Sequence, residues 1–140
     1  MTVLLALLQV LFLVRHAEKV DNSRDAALSA AGEARARALA QKLGDAGITA
    51  IFATQYQRTQ KTAAPLAARL KLPVQTHAAD DTAGLVELLR KQDRALVVGH
   101  SNTLPEIARA FGVTIEVPDE EYDGFYVILP AERLLVRLHQ

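Results

Sequence analysis

Two histidines of this 140-residue chain stand in matching settings. His16 follows Arg15 directly at the end of the apolar run Gln9 to Val14, and His100 follows Leu96-Val97-Val98-Gly99. A neutral imidazole at the rim of a buried strand offers one bare nitrogen for attack when its other nitrogen carries a proton into a fixed hydrogen bond. A neighbouring cation helps by disfavouring imidazolium. Arg58, at the start of a helical pattern after Ile51-Phe52-Ala53, adds a planar fork of donors matched to phosphate oxygens, with helix N-terminal amides beside it. Arg15, Arg58 and His100 together would surround a phosphoryl group with positive charge, the main requirement when the group in transfer spreads its charge over three oxygens. The histidine pair has no third ligand spaced as in HExxH, and the flanking arginines would repel a cation, so neither a metal nor another cofactor is expected.

These groups need rigid elements behind them. Gln9 to Val14 reads as a buried strand and Ala30 to Ala46 as a helix behind a Ser29 cap, with Ala34, Ala38, Leu39 and Leu43 on one face and Gly47 as its stop. Ile48 to Ala53 is a strand, and Arg58 to Leu70 a helix in which Pro65 should cause a kink or break, with Pro73 beyond its end. Val74 to Thr76 is a short third strand, Asp81 and Thr82 cap a helix running to Arg90, and Ala95 to Val98 is a central strand. A helix over Leu104 to Ala110 follows, and Phe125 to Leu129 with Leu134 to Leu138 form a terminal antiparallel pair. Strands alternating with helices predict a three-layer α/β/α sandwich with a mostly parallel sheet. Ligands in such sheets sit beyond the carboxyl ends of the strands, where this reading puts Arg15-His16, the Thr54 to Arg58 loop, Asp80-Asp81 and His100-Ser101.

The length is that of one domain, residues 1–140, with half its residues hydrophobic and about a quarter charged. Sixteen basic and sixteen acidic residues cancel, so no net field favours nucleic acid or an anionic membrane. The absence of cysteine excludes a disulfide frame and a thiolate nucleophile. Val3 to Val14 is apolar except for Gln9, but it is too short to span a bilayer and lacks the basic flank and small-residue cleavage site of a signal peptide. A cytoplasmic protein is expected. Export by this short apolar segment and the role of Met1 to Leu8 stay open.

Four stretches in order, Leu13-Val14-Arg15-His16-Ala17-Glu18, Leu28-Ser29-Ala30-Ala31-Gly32, Thr54 through Arg58 to Thr62-Ala63, and Val98-Gly99-His100-Ser101, resemble the successive motifs of the histidine phosphatase superfamily, also called phosphoglycerate mutase-like. The resemblance runs from Leu13 to about Ile107. It implies the phosphoglycerate mutase-like fold, transient phosphorylation of His16, and Arg15, Arg58 and His100 as holders of the phosphoryl group. Asn22, Glu18 and Ser101 fall at positions near the substrate. The acid that protonates the leaving oxygen in many relatives is a carboxylate after the third strand, which makes Asp81 the candidate beside Asp80, with Glu18 as a further option. The same residues read without the resemblance are a helix cap, a solvated neighbour and half of an ion pair. Small phosphohistidine phosphatases of this superfamily work without a strong acid. Ala17, Arg35, Thr59 and Lys61 depart from the motifs, and none removes a charged catalytic group.

The expected function is therefore a metal-independent phosphatase acting on a phosphorylated small molecule or a phosphohistidine protein. Two alternatives stand beside it: a catalytically weak phosphate-binding module, and a mutase-like phosphotransferase. Only Val20 to Ala27 and Phe111 to Gly124 are long loops, which favours an open site and hydrolysis. Tyr56, Gln57 and Tyr122 are placed at its entrance. His77 and His139 lack a comparable setting and read as ordinary surface residues.

Overall fold

The computed structural model describes residues 8–140. The expected role of the segment Met1 to Leu8 lies, apart from Leu8, outside them. Six strands form one sheet: β1 (Val10–Arg15), β2 (Ala50–Thr54), β3 (Val74–His77), β4 (Arg94–Gly99), β5 (Gly124–Leu129) and β6 (Leu134–His139). Their order is β3-β2-β4-β1-β5-β6. The first four run parallel and the last two antiparallel, as β1 pairs with β5 and β5 with β6. Four helices cover the sheet: α1 (Ala30–Leu43), α2 (Gln57–Leu70), α3 (Thr82–Leu89) and α4 (Leu104–Ala110). This is the three-layer α/β/α sandwich with a terminal antiparallel pair. Among the described residues no helix is long and apolar enough to cross a membrane.

The alternation of side chains along each strand builds two cores. Leu11, Leu13, Phe52 and Val97 face α3 and α4, packing on Leu85, Leu89, Leu104 and Ile107. Val10, Phe12, Val14, Ile51, Leu96 and Val98 face the other way onto Leu39, Leu43, Ala63 and Leu66 of α1 and α2. All six residues of β1 are buried. Each of its large apolar side chains contributes about 2 kcal/mol by leaving water, so the strand that ends in Arg15 is a rigid base. Gln9, the polar break in the apolar run, donates its Nε2 to the carbonyls of Leu89 and Gln92 beyond the end of α3.

Three local expectations change. α1 stops at Leu43, not Ala46, because Arg69 donates to the Ala40 carbonyl and lies where a side chain at Gly44 would be, with its Cζ 2.2 Å from that Cβ position. The buried face of α1 is Ala36, Leu39, Ala40 and Leu43, whereas Ala34 and Ala38 are exposed. Pro65 neither breaks nor divides α2. The carbonyl it cannot serve belongs to Lys61, an exposed residue, so the missing donor leaves no fully buried residue short of a partner.

Candidate active site

The parallel strands β1 and β4 lie side by side with Arg15 opposite Gly99, and the His16 amide donates to the Gly99 carbonyl at 2.9 Å. One backbone bond thus fixes the two histidines as neighbours. Their ring centroids are 5.5 Å apart. Space is tight at Gly99, where a Cβ would stand 3.0 Å from the Leu104 side chain as the chain turns into α4. Both histidines are buried.

His16 is held by its own neighbour, with Nδ1 2.8 Å from the Ala17 carbonyl. A carbonyl only accepts, so Nδ1 carries the proton and Nε2 is the bare nitrogen. Ala17 is in turn fixed by its amide, which donates to Thr62 Oγ1 of α2. Burial pushes the His16 pKa down to about 4; the Ala17 bond opposes this, and Arg15, Arg58 and Lys19 lower it further. At neutral pH the ring is an uncharged base with a lone pair.

His100 is oriented by a chain of hydroxyls. Its Nε2 lies 2.9 Å from Thr54 Oγ1, which lies 2.8 Å from Thr59 Oγ1, and Thr59 meets the carbonyls of Thr54 and Tyr56. Those carbonyls force Thr59 to donate, so Thr54 donates to Thr59 and His100 Nε2–H donates to Thr54. In the neutral ring Nδ1 is therefore bare. Burial pushes the His100 pKa down to about 3, with Arg58, His16, Arg15 and His77 adding to the effect.

The two arginines flank the histidines, each stacked on a tyrosine. Arg15 lies 4.1 Å from the centre of Tyr122 and donates Nη1 to the carbonyls of Asp119 and Glu121. Arg58 lies 4.4 Å from the centre of Tyr56 and donates Nη1 to the Arg24 carbonyl. Tyr122 and Tyr56 sit edge-on to His16 and His100 respectively. The Nε–H groups of both arginines are buried with no partner among the described residues. Two unsatisfied charged donors beside two uncharged imidazoles make a receptor for an anion with several oxygens.

A cavity of about 530 Å³ opens beside this cluster and is lined by Arg24, Gln55, Tyr56, Arg58, Asp80 and His100, and also by Asn102, Thr103 and Glu106. The other candidates from the sequence are placed less directly. Glu18 is held by Arg35 through two hydrogen bonds of 2.8 Å, which keep its carboxyl below the usual range. Arg35, unusual against the motif, is thus the partner of Glu18. Asp81 caps α3, accepting from the Gly84 amide at 3.0 Å, while Asp80 lines the cavity. Ser101 donates to Asp119, and Asn22 is exposed on the loop before α1 with no side-chain hydrogen bond among the described residues. Gln57 donates its side-chain Nε2 to the Asp25 carbonyl and carboxylate, unlike the two tyrosines of the entrance group. His139 is an exposed partner of Asp123. His77 departs from the surface reading: it is half-buried at the end of β3 beside Thr54, and its Nδ1 is enclosed without a partner. The sequence pattern also gives no role to Thr54, Thr59, Arg24 or Glu106. Thr59 was visible only as a departure from the motif.

The arrangement brings two histidines and two arginines together at the carboxyl edge of a doubly covered sheet. The family model of the histidine phosphatase superfamily (branch 1) matches residues 11–79. An uncharacterised Mycobacterium tuberculosis protein, Rv0525, is 53% identical over 49 residues, a stretch that is 35% of this chain and 24% of that protein. The match thus spans about a quarter of the relative's length. The structure described as a putative phosphohistidine phosphatase SixA from Agrobacterium tumefaciens superposes with a TM-score of 0.69 at 18% identity, covering 94% of this chain and 99% of that one. The mycobacterial glucosyl-3-phosphoglycerate phosphatase Rv2419c gives 0.66 at 16%, covering 86% and 89%. At these identities the likeness is one of fold. The family-model match, over just under half of the chain, supports the histidine phosphatase superfamily, and the shared fold agrees with it.

Proposed function

We propose that this chain is a metal-independent phosphatase that hydrolyses phosphomonoesters or protein phosphohistidine through a phosphorylated His16. The observation that carries the reading is the bare Nε2 of His16 between two arginines whose buried Nε–H groups have no partner. The ester's phosphoryl group sits against Arg15, Arg58 and His100, while a substrate-side role for Ser101, Asn22 and Glu18 rests on the motif resemblance alone. Nε2 attacks phosphorus, the P–O bond to the leaving group breaks with its electron pair, and Nε2–P forms. The Nδ1–H bond to Ala17 O stabilises the positive ring that results. Water then attacks phosphorus from the vacated side, releasing phosphate and restoring His16. His100 enters neutral with Nδ1 bare; the proton carried in by a phosphoryl monoanion passes onto it, and Nδ1–H then donates to a phosphoryl oxygen.

An aryl phosphate or a phosphohistidine leaves without a strong acid. For poorer leaving groups a cavity carboxylate, Asp80 in the first place, supplies the proton, ahead of Asp81, whose Oδ1 is held by the Gly84 amide. Release of inorganic phosphate from an aryl phosphate in the presence of EDTA, by the wild type and by His16→Ala, tests the reading. Turnover that survives EDTA and vanishes in the variant is expected. Turnover that needs a metal, or survives without His16, overturns it.

A further inference from the structure

The phosphoryl site lies at the boundary of two layers with opposite charge. Arg24 precedes α1 and Arg58 begins α2, so the cations of the cavity come from the layer on one face of the sheet. Asp80 leads into α3 and Glu106 belongs to the first turn of α4, so its carboxylates come from the other. Both carboxylates are exposed, and among the described residues neither forms a salt bridge with a basic side chain. Between the poles the lining is uncharged and polar, including Asn102 and Gln55. A molecule whose phosphate is bound at Arg58 and His100, and whose remainder fills this cavity, meets Asp80 and Glu106 in its walls. Two solvated but unpaired negative charges there repel a second anionic group and attract a cation.

We propose that Asp80 and Glu106 form an acidic specificity wall that selects phosphorylated substrates carrying a positive charge near the phosphate and rejects those carrying a carboxylate or second phosphate there. The inference rests on the phosphatase reading and adds the substrate class. It favours a phosphorylated side chain in a basic surface, or a small cationic phosphomonoester, over a sugar acid phosphate.

Three aryl phosphates whose charge is insulated from the ring by an alkyl spacer, so that the leaving groups match closely, separate the two claims: phenyl phosphates bearing para-propyl, para-(3-trimethylammoniopropyl) and para-(3-carboxypropyl) groups. The wild type should give kcat/KM for the cationic ester on the order of tenfold above that for the anionic one at low salt, with the ratio shrinking as salt rises. Glu106→Gln should reduce the ratio, and Asp80→Asn with Glu106→Gln should bring it near one; since Asp80 is also the leaving-group acid, the double variant is read only as a ratio, and the neutral ester with the wild type reports the phosphatase reading by itself. Calorimetric binding of the same esters to His16→Ala gives the ratio even if turnover is absent. A ratio near one in the wild type, or one unchanged in the double variant, overturns the wall whatever happens to the neutral ester.

Discussion

Removing the two site histidines should flatten the acid dependence of folding stability. Both are buried, and their pKa values are pushed from 6.5 to about 4 for His16 and about 3 for His100, burial being the first cause in each case. The unfolded chain therefore binds protons at these rings from about pH 6.5 downward while the folded chain does not. The stability they leave intact above pH 6.5 is lost as the pH falls toward the folded values. Between pH 7.5 and pH 5 each ring should cost about 2 kcal/mol, and the pair about 4 kcal/mol. Glu18, whose depressed pKa contributes stability that is lost in the same direction, titrates lower and is common to all variants. Urea unfolding at pH 7.5, 6 and 5 on the wild type, His16→Asn, His100→Asn and the double variant measures the difference. Each single variant should recover about half of the loss due to the two site histidines, and the double variant should keep only the remainder, which includes that of half-buried His77, whose pKa burial also lowers. A double variant that loses as much stability as the wild type would show that the rings are not held neutral by burial, and the nucleophile argument would fall with it.

Three other perturbations reach different parts of the site. Thr54→Val removes the acceptor of His100 Nε2–H and should lower kcat about tenfold; nitrogen NMR of His100 should show loss of the pure Nε2–H form, with Thr54→Ser restoring both, and an unchanged tautomer would refute the hydroxyl chain. Arg58→Lys keeps the charge but loses the planar fork and its buried Nε–H, so kcat/KM for an aryl phosphate should fall on the order of a hundredfold; a loss under threefold would mean that charge alone suffices. Gly32→Ala places a Cβ 2.2 Å from the Glu18 carbonyl oxygen, which bonds the Ser29 amide, and should cost about 2 kcal/mol or more in urea unfolding. Unaltered stability there would mean that the loop after His16 is not packed as described.

The alternation of apolar runs and helical patterns made the layers legible, because a buried parallel strand such as Val10–Arg15 has little choice but continuous apolar sequence. The same runs placed Arg15, His16 and His100 at the ends of strands. What the pattern could not give was the partner of each polar group. Glu18 looks equally suited to substrate, solvent or Arg15 until α1 brings Arg35 against it from 17 residues away. Asp80 and Asp81 are adjacent in sequence, and only the turn into α3 decides that one caps the helix and the other lines the cavity. Thr59 reads as an irregular residue in a motif, and becomes intelligible once Thr54 and His100 are within hydrogen-bonding distance in one chain. Glu106 lies in a short helix with nothing in its neighbourhood to mark it, because its meaning comes from Asp80, which the fold sets across the same cavity.

The central claim is that His16 Nε2 takes the phosphoryl group. Mixing the protein with an aryl phosphate, quenching in alkali within the first turnovers and mapping the modified peptide by mass spectrometry tests it directly. The account predicts one base-stable, acid-labile phosphoryl group on His16, absent from His16→Ala and discharged to water when the substrate runs out. A phosphoryl group on another residue, or steady turnover with His16 unmodified at every quench time, would contradict it.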